Sequence, residues 1–263
     1  MSAAVKFASV PIAEVMSPSQ LCTFLDCSAR GMYRYVLKLP ENQGSQLAVG
    51  KALHATVRDN FLHKIDTKAD LPLASVLALY RDAWTEEEKV TEFRRDEDRS
   101  ELKAMGAALV AKYHEAVAPT IEPAAVEFPV SGVIGGVKVR GIVDLRDVHG
   151  KVIDLKSANR SPGELVRFNH RMQVASYVDL MPGANGTARV DTVVKNVKRV
   201  KLVSQDFEMT PADQRALQVL YPLVQDTART GLYTPNRNSL LCSRRYCNFW
   251  RACTADFGGE IKP

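Results

Sequence analysis

The sequence contains no long apolar run. Its most hydrophobic stretch, between Lys103 and Lys112, is eight residues, against the roughly 20 needed to span a bilayer as a helix. The first twenty residues have no unbroken apolar core, because Lys6, Pro11 and Glu14 interrupt them, which argues against an export signal. A cytoplasmic protein with no membrane partner is therefore expected. Only five cysteines occur in 263 residues. That odd number, without an export signal, excludes a disulfide framework and suits a reducing compartment. Repeats and low-complexity tracts are absent, and 15 Gly and 13 Pro are too few for a collagen-like or disordered chain. Strong charge of one sign is missing as well: 35 basic and 30 acidic residues leave +5, which permits a polyanionic partner without requiring one.

What is present is ordinary globular material, 46% hydrophobic and 25% charged, at a length that supports a sizeable core. Ser17-Pro18-Ser19-Gln20 reads as a capping box opening a helix over 17–39. A second helix begins near Gly50, and 73–118 carries two or more, with a charged stretch from Glu86 to Glu101 between them. Residues 124–157 alternate and are rich in β-branched side chains, which predicts three or four antiparallel strands. A helix from about Pro162 to Leu180 follows, opened by a capping box at Ser161. Next come a Val-rich strand over 190–204, a long helix over 211–231 and an irregular tail. This order gives an α/β or α+β chain with helices packed on a sheet. One domain over 1–263 is expected: a helical part (17–118), a sheet and helix (119–208), and a C-terminal helix with a cysteine tail (209–263).

The hairpin Val143–Lys156 carries the chemistry. If Val148-His149-Gly150 is a three-residue loop, with Gly150 in its left-handed position, Asp147 pairs with Lys151 and Asp144 stands opposite Asp154. Opposed residues project to one face, so two carboxylates would repel unless something positive lies between them. A divalent ion fits, since Mg²⁺ takes one or two carboxylates plus water and phosphate oxygens. Lys156 shares that face, and Ile153 and Leu155 point into a core. On the next helix Gln173 and Tyr177 are four apart and share a face. Arg160, Arg167, His170 and Arg171 add basic groups suited to phosphate. The competing reading is a surface hairpin with scattered charges.

Together Gly141-Ile142-Val143-Asp144, Asp154-Leu155-Lys156, Gln173 with Tyr177, and the early Gly50-Lys51-Ala52-Leu53-His54 resemble the PD-(D/E)xK nuclease superfamily and its RecB-like branch of exonucleases. The resemblance implies a restriction-endonuclease-like core, a central mixed sheet flanked by helices. It further implies that His54, Asp144, Asp154 and the Leu155 carbonyl bind Mg²⁺ or Mn²⁺, and that Lys156 serves catalysis. Gln173 and Tyr177 would support the site, and Arg160, Arg167 and Arg171 would contact DNA. Glu127 sits where a strand glutamate often occurs in that branch.

Cys242, Cys247 and Cys253 near the C-terminus, with Cys27, resemble the iron–sulfur variety of these nucleases, in which one N-terminal and three C-terminal cysteines hold a [4Fe–4S] cluster. Four residues separate Cys242 from Cys247 where the family more often has two, and zinc stays open as the alternative. Cys22 falls outside the pattern. Phe249 and Trp250 are expected to pack over the cysteines. The function expected is metal-dependent DNA hydrolysis, by an exonuclease on single-stranded ends. The alternatives are a non-catalytic nucleic-acid-binding or assembly subunit and an iron–sulfur carrier.

Overall fold

The computed structural model describes residues 14–195 and 200–262. After a short strand β1 (Val15–Met16), the expected capping box opens helix α1 (Pro18–Asp26): Gln20 N–H donates to Ser17 Oγ and Ser17 N–H to Gln20 Oε1. The helix expected to run on to residue 39 breaks at Cys27, whose backbone is extended. The chain resumes as α2 (Ser28–Gly31) and a π-helical turn over Met32–Val36. Contacts from the distant tail hold the break open. Asn236 N–H donates to Cys27 Sγ, and Ala29 N–H to the Thr234 carbonyl.

Strand β2 (Gln43–Gly44) leads into helix α3 (Ser45–Thr67), followed by α4 (Leu73–Lys89), β3 (Thr91–Glu92) and α5 (Arg99–Ala116). Three antiparallel strands then appear as expected: β4 (Pro123–Ile134), β5 (Val137–Asp147) and β6 (Val152–Ala158). Helix α6 (Phe168–Leu180) starts later than the sequence suggests, and Ser161 caps nothing. Gln205 Nε2 donates to the Gly163 and Glu164 carbonyls, taking acceptors that a first helical turn would need. The single strand expected over 190–204 is instead two, β7 (Thr187–Val194) and β8 (Lys201–Glu208), paired antiparallel; residues 196–199 lie outside the described residues. Helix α7 (Pro211–Thr230) and a short α8 (Trp250–Phe257) complete the chain.

The central sheet is mixed, in the order β1-β5-β6-β7-β8 with β4 on β5; β6 and β7 run parallel. Helices α3, α4 and α5 bury Leu53, Tyr80, Trp84 and Tyr113 against Leu145, Ile153 and Leu155. Helix α6 buries Val174 and Tyr177 against Val143, Val152 and Val190. A third cluster joins α1, α2 and α7 to the far ends of β4 and β5 and takes in Phe249 and Cys253. No helix among the described residues is long and apolar enough to cross a membrane.

Arg171, expected to face DNA, is occupied elsewhere. Its guanidinium forks onto both oxygens of Asp213, donates to the Glu208 carbonyl and lies over the Phe207 ring. Asp213 also closes the capping box of α7 with Thr210. The Arg171 hydrogen bond, helped by Thr210, holds the Asp213 carboxyl down at about 2. A carboxyl lowered on folding contributes stability above its unfolded pKa and loses it as pH falls through the folded value. Asp213→Asn should therefore cost about 2 kcal/mol at pH 7, with the deficit shrinking between about pH 4 and pH 2 in urea unfolding of both proteins.

Candidate active site

The hairpin joining β5 to β6 has the expected loop. Asp147 N–H donates to the Lys151 carbonyl, Gly150 N–H to the Asp147 carbonyl, and Gly150 has φ +88°. A side chain there would be strained and would meet the Gly183 carbonyl. The register, Leu145 opposite Ile153, extends to Asp144 opposite Asp154. The two carboxylates nevertheless have different partners. Asp144 Oδ2 accepts the Leu155 N–H at 2.9 Å and lies 3.7 Å from His54 Nδ1. Asp154, only 2% exposed, has both oxygens 2.7–2.8 Å from Lys156 Nζ. Its Oδ2 has no hydrogen-bond partner beyond that ion pair.

His54 reaches Asp144 because α3 lies close on β6: a Cβ at Gly50 would stand 3.0 Å from Ser157 Oγ. Gly50 and His54 are one helical turn apart, which is the physical content of their spacing. Gly141 acts similarly under Tyr177, whose ring would meet its Cβ at 2.9 Å. Gln173 Nε2 donates to Tyr177 Oη at 3.3 Å. Glu127, on β4 between the pairs Val126–Leu145 and Phe128–Val143, stands opposite Asp144 in a left-handed backbone conformation, φ +47°. One ligating atom each from His54, Glu127 and Asp144 lies within 4.8 Å of the others. These three line a cleft open to solvent, with Tyr113 and Leu155 in its wall.

Burial and the Asp154 charge push the Asp144 carboxyl up to about 6, against the pull of His54 and Lys156. Burial alone would lower the Lys156 ammonium, but Asp154 and Asp144 outweigh it and hold the group above its usual value. Burial and Asp154 also raise the Tyr177 phenol to about 12. Around Asp144 and Asp154 the carboxylates are thus met by one half-buried ammonium, that of Lys156.

A second constellation lies at the tail. Cys27, Cys242, Cys247 and Cys253 line one cavity with Arg30, Tyr33 and Arg237. Arg237 Nη1 lies 3.3 Å from Cys253 Sγ, and burial raises the Cys247 and Cys253 thiols. Phe249 packs on Tyr33 with ring centroids 5.6 Å apart, and Arg244 and Arg251 each lie over the Trp250 ring. Cys22 sits apart: burial pushes its thiol up to about 11, and the charges it feels next are Lys156 and Asp154.

The sequence matches the family model of the PD-(D/E)XK nuclease superfamily over residues 15–254. The chain belongs to this superfamily. Nucleases of this superfamily use divalent metals. No curated protein matches the sequence. Among solved structures, the nuclease shares its fold with a candidate exonuclease from Eubacterium rectale, at 13% identity and a TM-score of 0.58. The match covers 91% of this chain and 88% of that one. The match to the structure of SSO0001, at 16% identity and a TM-score of 0.37, covers 80% of this chain and 85% of that one.

Within the nuclease, the structure brings together His54, Asp144, Asp154, Lys156, Gln173 and Tyr177, and places Arg160 and Arg167 in the exposed connection between β6 and α6. The tight group around Asp144 takes as its third member Glu127, the strand glutamate the sequence already singles out, rather than Asp154. The donor set, two carboxylates and an imidazole with the Asp154 carboxylate nearby, fits a divalent ion. A carboxyl raised on folding favours the fold below its unfolded pKa, and that contribution is lost as pH rises through the folded value. Metal-free Asp144→Asn should therefore unfold later than wild type at pH 8, by on the order of 2 kcal/mol. The difference should close by about pH 4, measured by urea titration in chelator.

Proposed function

We propose that this nuclease hydrolyses phosphodiester bonds in DNA as an Mg²⁺- or Mn²⁺-dependent exonuclease acting on single-stranded ends, in a reducing, cytoplasmic setting, with residues 1–263 working as one domain. The observation that carries the reading is the juxtaposition of the His54–Glu127–Asp144 group with the Asp154–Lys156 pair. His54, Asp144, Asp154 and the Leu155 carbonyl, with Glu127, would hold the ion. Bound there, it would supply Lewis acidity for the scissile phosphate and an acidified water as nucleophile.

The rest belongs to the chain. Lys156, kept protonated by its two carboxylates, can donate to a phosphate oxygen as charge builds there, or orient the attacking water. Tyr177 and Gln173 brace each other from α6 and would hold the substrate backbone. Arg160 and Arg167 would steer phosphates towards the cleft, whereas Arg171 is committed to Asp213. Catalysis is favoured over a scaffold role because Asp144 retains a raised pKa, a standing cost to the fold that a purely structural part has no use for.

Cys27, Cys242, Cys247 and Cys253 would hold a [4Fe–4S] cluster, which would supply a clasp between the N-terminal helices and the tail. Four thiols around one cavity are the right number. Arg30, Arg237 and the Asn236 N–H would offset its negative charge.

Labelled single-stranded DNA should be cut with Mn²⁺ or Mg²⁺ and left intact in chelator. Asp144→Ala and Lys156→Ala should each lower the rate by at least about a hundredfold; cleavage at the wild-type rate in either variant rules the assignment out. Protein purified without oxygen should be brown, with broad visible absorbance that Cys27→Ser and Cys253→Ser lose. A colourless preparation containing one zinc per chain would decide for zinc.

A further inference from the structure

The connection from β6 to α6 leaves the strand of Lys156 and arrives at the helix of Gln173 and Tyr177, so it forms one rim of the site. On the first turn of α6, burial and the Lys156 ammonium drive the His170 imidazole down to about 4, and Asp154 and Arg167 also act on it. That turn therefore lies within electrostatic reach of the Asp154–Lys156 pair.

This rim presents large apolar side chains to water. Leu165 is 85% exposed, more than any other large hydrophobic residue among those described, and Phe168 is 56% exposed. Among the described residues no aromatic or cationic group stacks on the Phe168 ring. Looseness does not explain the exposure, because the backbone around them is anchored. Gln205 clamps the carbonyls of Gly163 and Glu164, Lys201 Nζ donates to Ser161 Oγ, and Asn159 Nδ2 donates to Tyr246 Oη. Val166, between Leu165 and Arg167, packs on the core beneath α6. The segment is thus held with Val166 inward and its neighbours outward. Arg160 and Arg167 are exposed on the same segment, and among the described residues neither forms an ion pair. Glu164 is its only acidic residue.

We propose that this rim is a stacking platform for the unpaired bases of a single-stranded nucleic acid, with Phe168 and Leu165 contacting base faces and Arg160 and Arg167 contacting the phosphates between them. The inference rests on the nuclease reading for its choice of occupant and goes on to name the feature that selects strand state. The order Arg160, Leu165, Arg167, Phe168 alternates basic and apolar side chains, as phosphate and base alternate along a strand. A duplex stacks its bases on one another and offers these side chains no faces, so the platform favours frayed or single-stranded ends. Anchoring lowers the ordering cost of binding.

The test is fluorescence anisotropy in chelator, so that binding is read without cleavage. The probes are labelled oligothymidylate, an abasic deoxyribose-phosphate chain of equal length and a blunt duplex. Phe168→Ala should weaken oligothymidylate binding about tenfold while leaving abasic binding and thermal stability unchanged. Phe168→Trp should restore affinity, with its fluorescence quenched by the oligomer. Arg160→Ala and Arg167→Ala should weaken both single-stranded probes alike. Equal affinity of wild type and Phe168→Ala for oligothymidylate, an equal loss on the abasic chain, tighter binding to the duplex, or no binding by wild type would each overturn the proposal. A chain that binds as described but does not cut with Mn²⁺ would instead refute the catalytic reading and leave the platform standing.

Discussion

Too many acidic groups meet at the junction of β5 and β6 for one lysine to balance. Asp144 stands between the His54 and Glu127 side chains on one hand and the Asp154–Lys156 pair on the other, and the crowding shows in the raised Asp144 carboxyl. Much of the surrounding architecture can be understood as sustaining that crowding. The tight loop at Gly150 fixes the register, the bare backbone of Gly50 lets α3 bring its histidine in, and Gly141 leaves room for Tyr177. The cores on either side of β6 keep the strand from turning Asp154 outwards. Carboxylates crowded with an imidazole in this way have the donor chemistry that divalent ions take.

Legibility in the sequence followed the range of the forces involved. The β5–β6 hairpin and the opening of α1 were readable because neighbouring residues decide them: a glycine at a left-handed loop position, a serine and a glutamine three apart. The pairing of Gly50 with His54 was readable from helical spacing, although its reason, contact with Ser157, is not local. The beginning of α6 was misjudged because a glutamine some forty residues later takes its carbonyls. The split of the Val-rich segment into β7 and β8 was hidden by β-propensity that suits one strand or two equally well. Arg171 looked like a free phosphate ligand because Asp213, its partner, is also distant in sequence.

Helix α1 ties the two constellations together. Cys22, in its middle, lies within electrostatic reach of the Asp154–Lys156 pair, while Cys27, just past its end, lines the tail cavity. Asp26, the last residue of the helix, accepts from Ser239 Oγ, pairs with Arg30 and offers its carbonyl to Asn236. The tail therefore grips the C-terminal end of the helix that carries both cysteines.

The left-handed backbone at Glu127 bears on how such a site persists. A long side chain in that conformation, mid-strand, runs against the local steric preference by about 1–3 kcal/mol, and glycine would relieve the tension at once. The strained backbone thus coincides with the one residue of β4 whose carboxylate comes within 4.8 Å of both the His54 and the Asp144 ligating atoms.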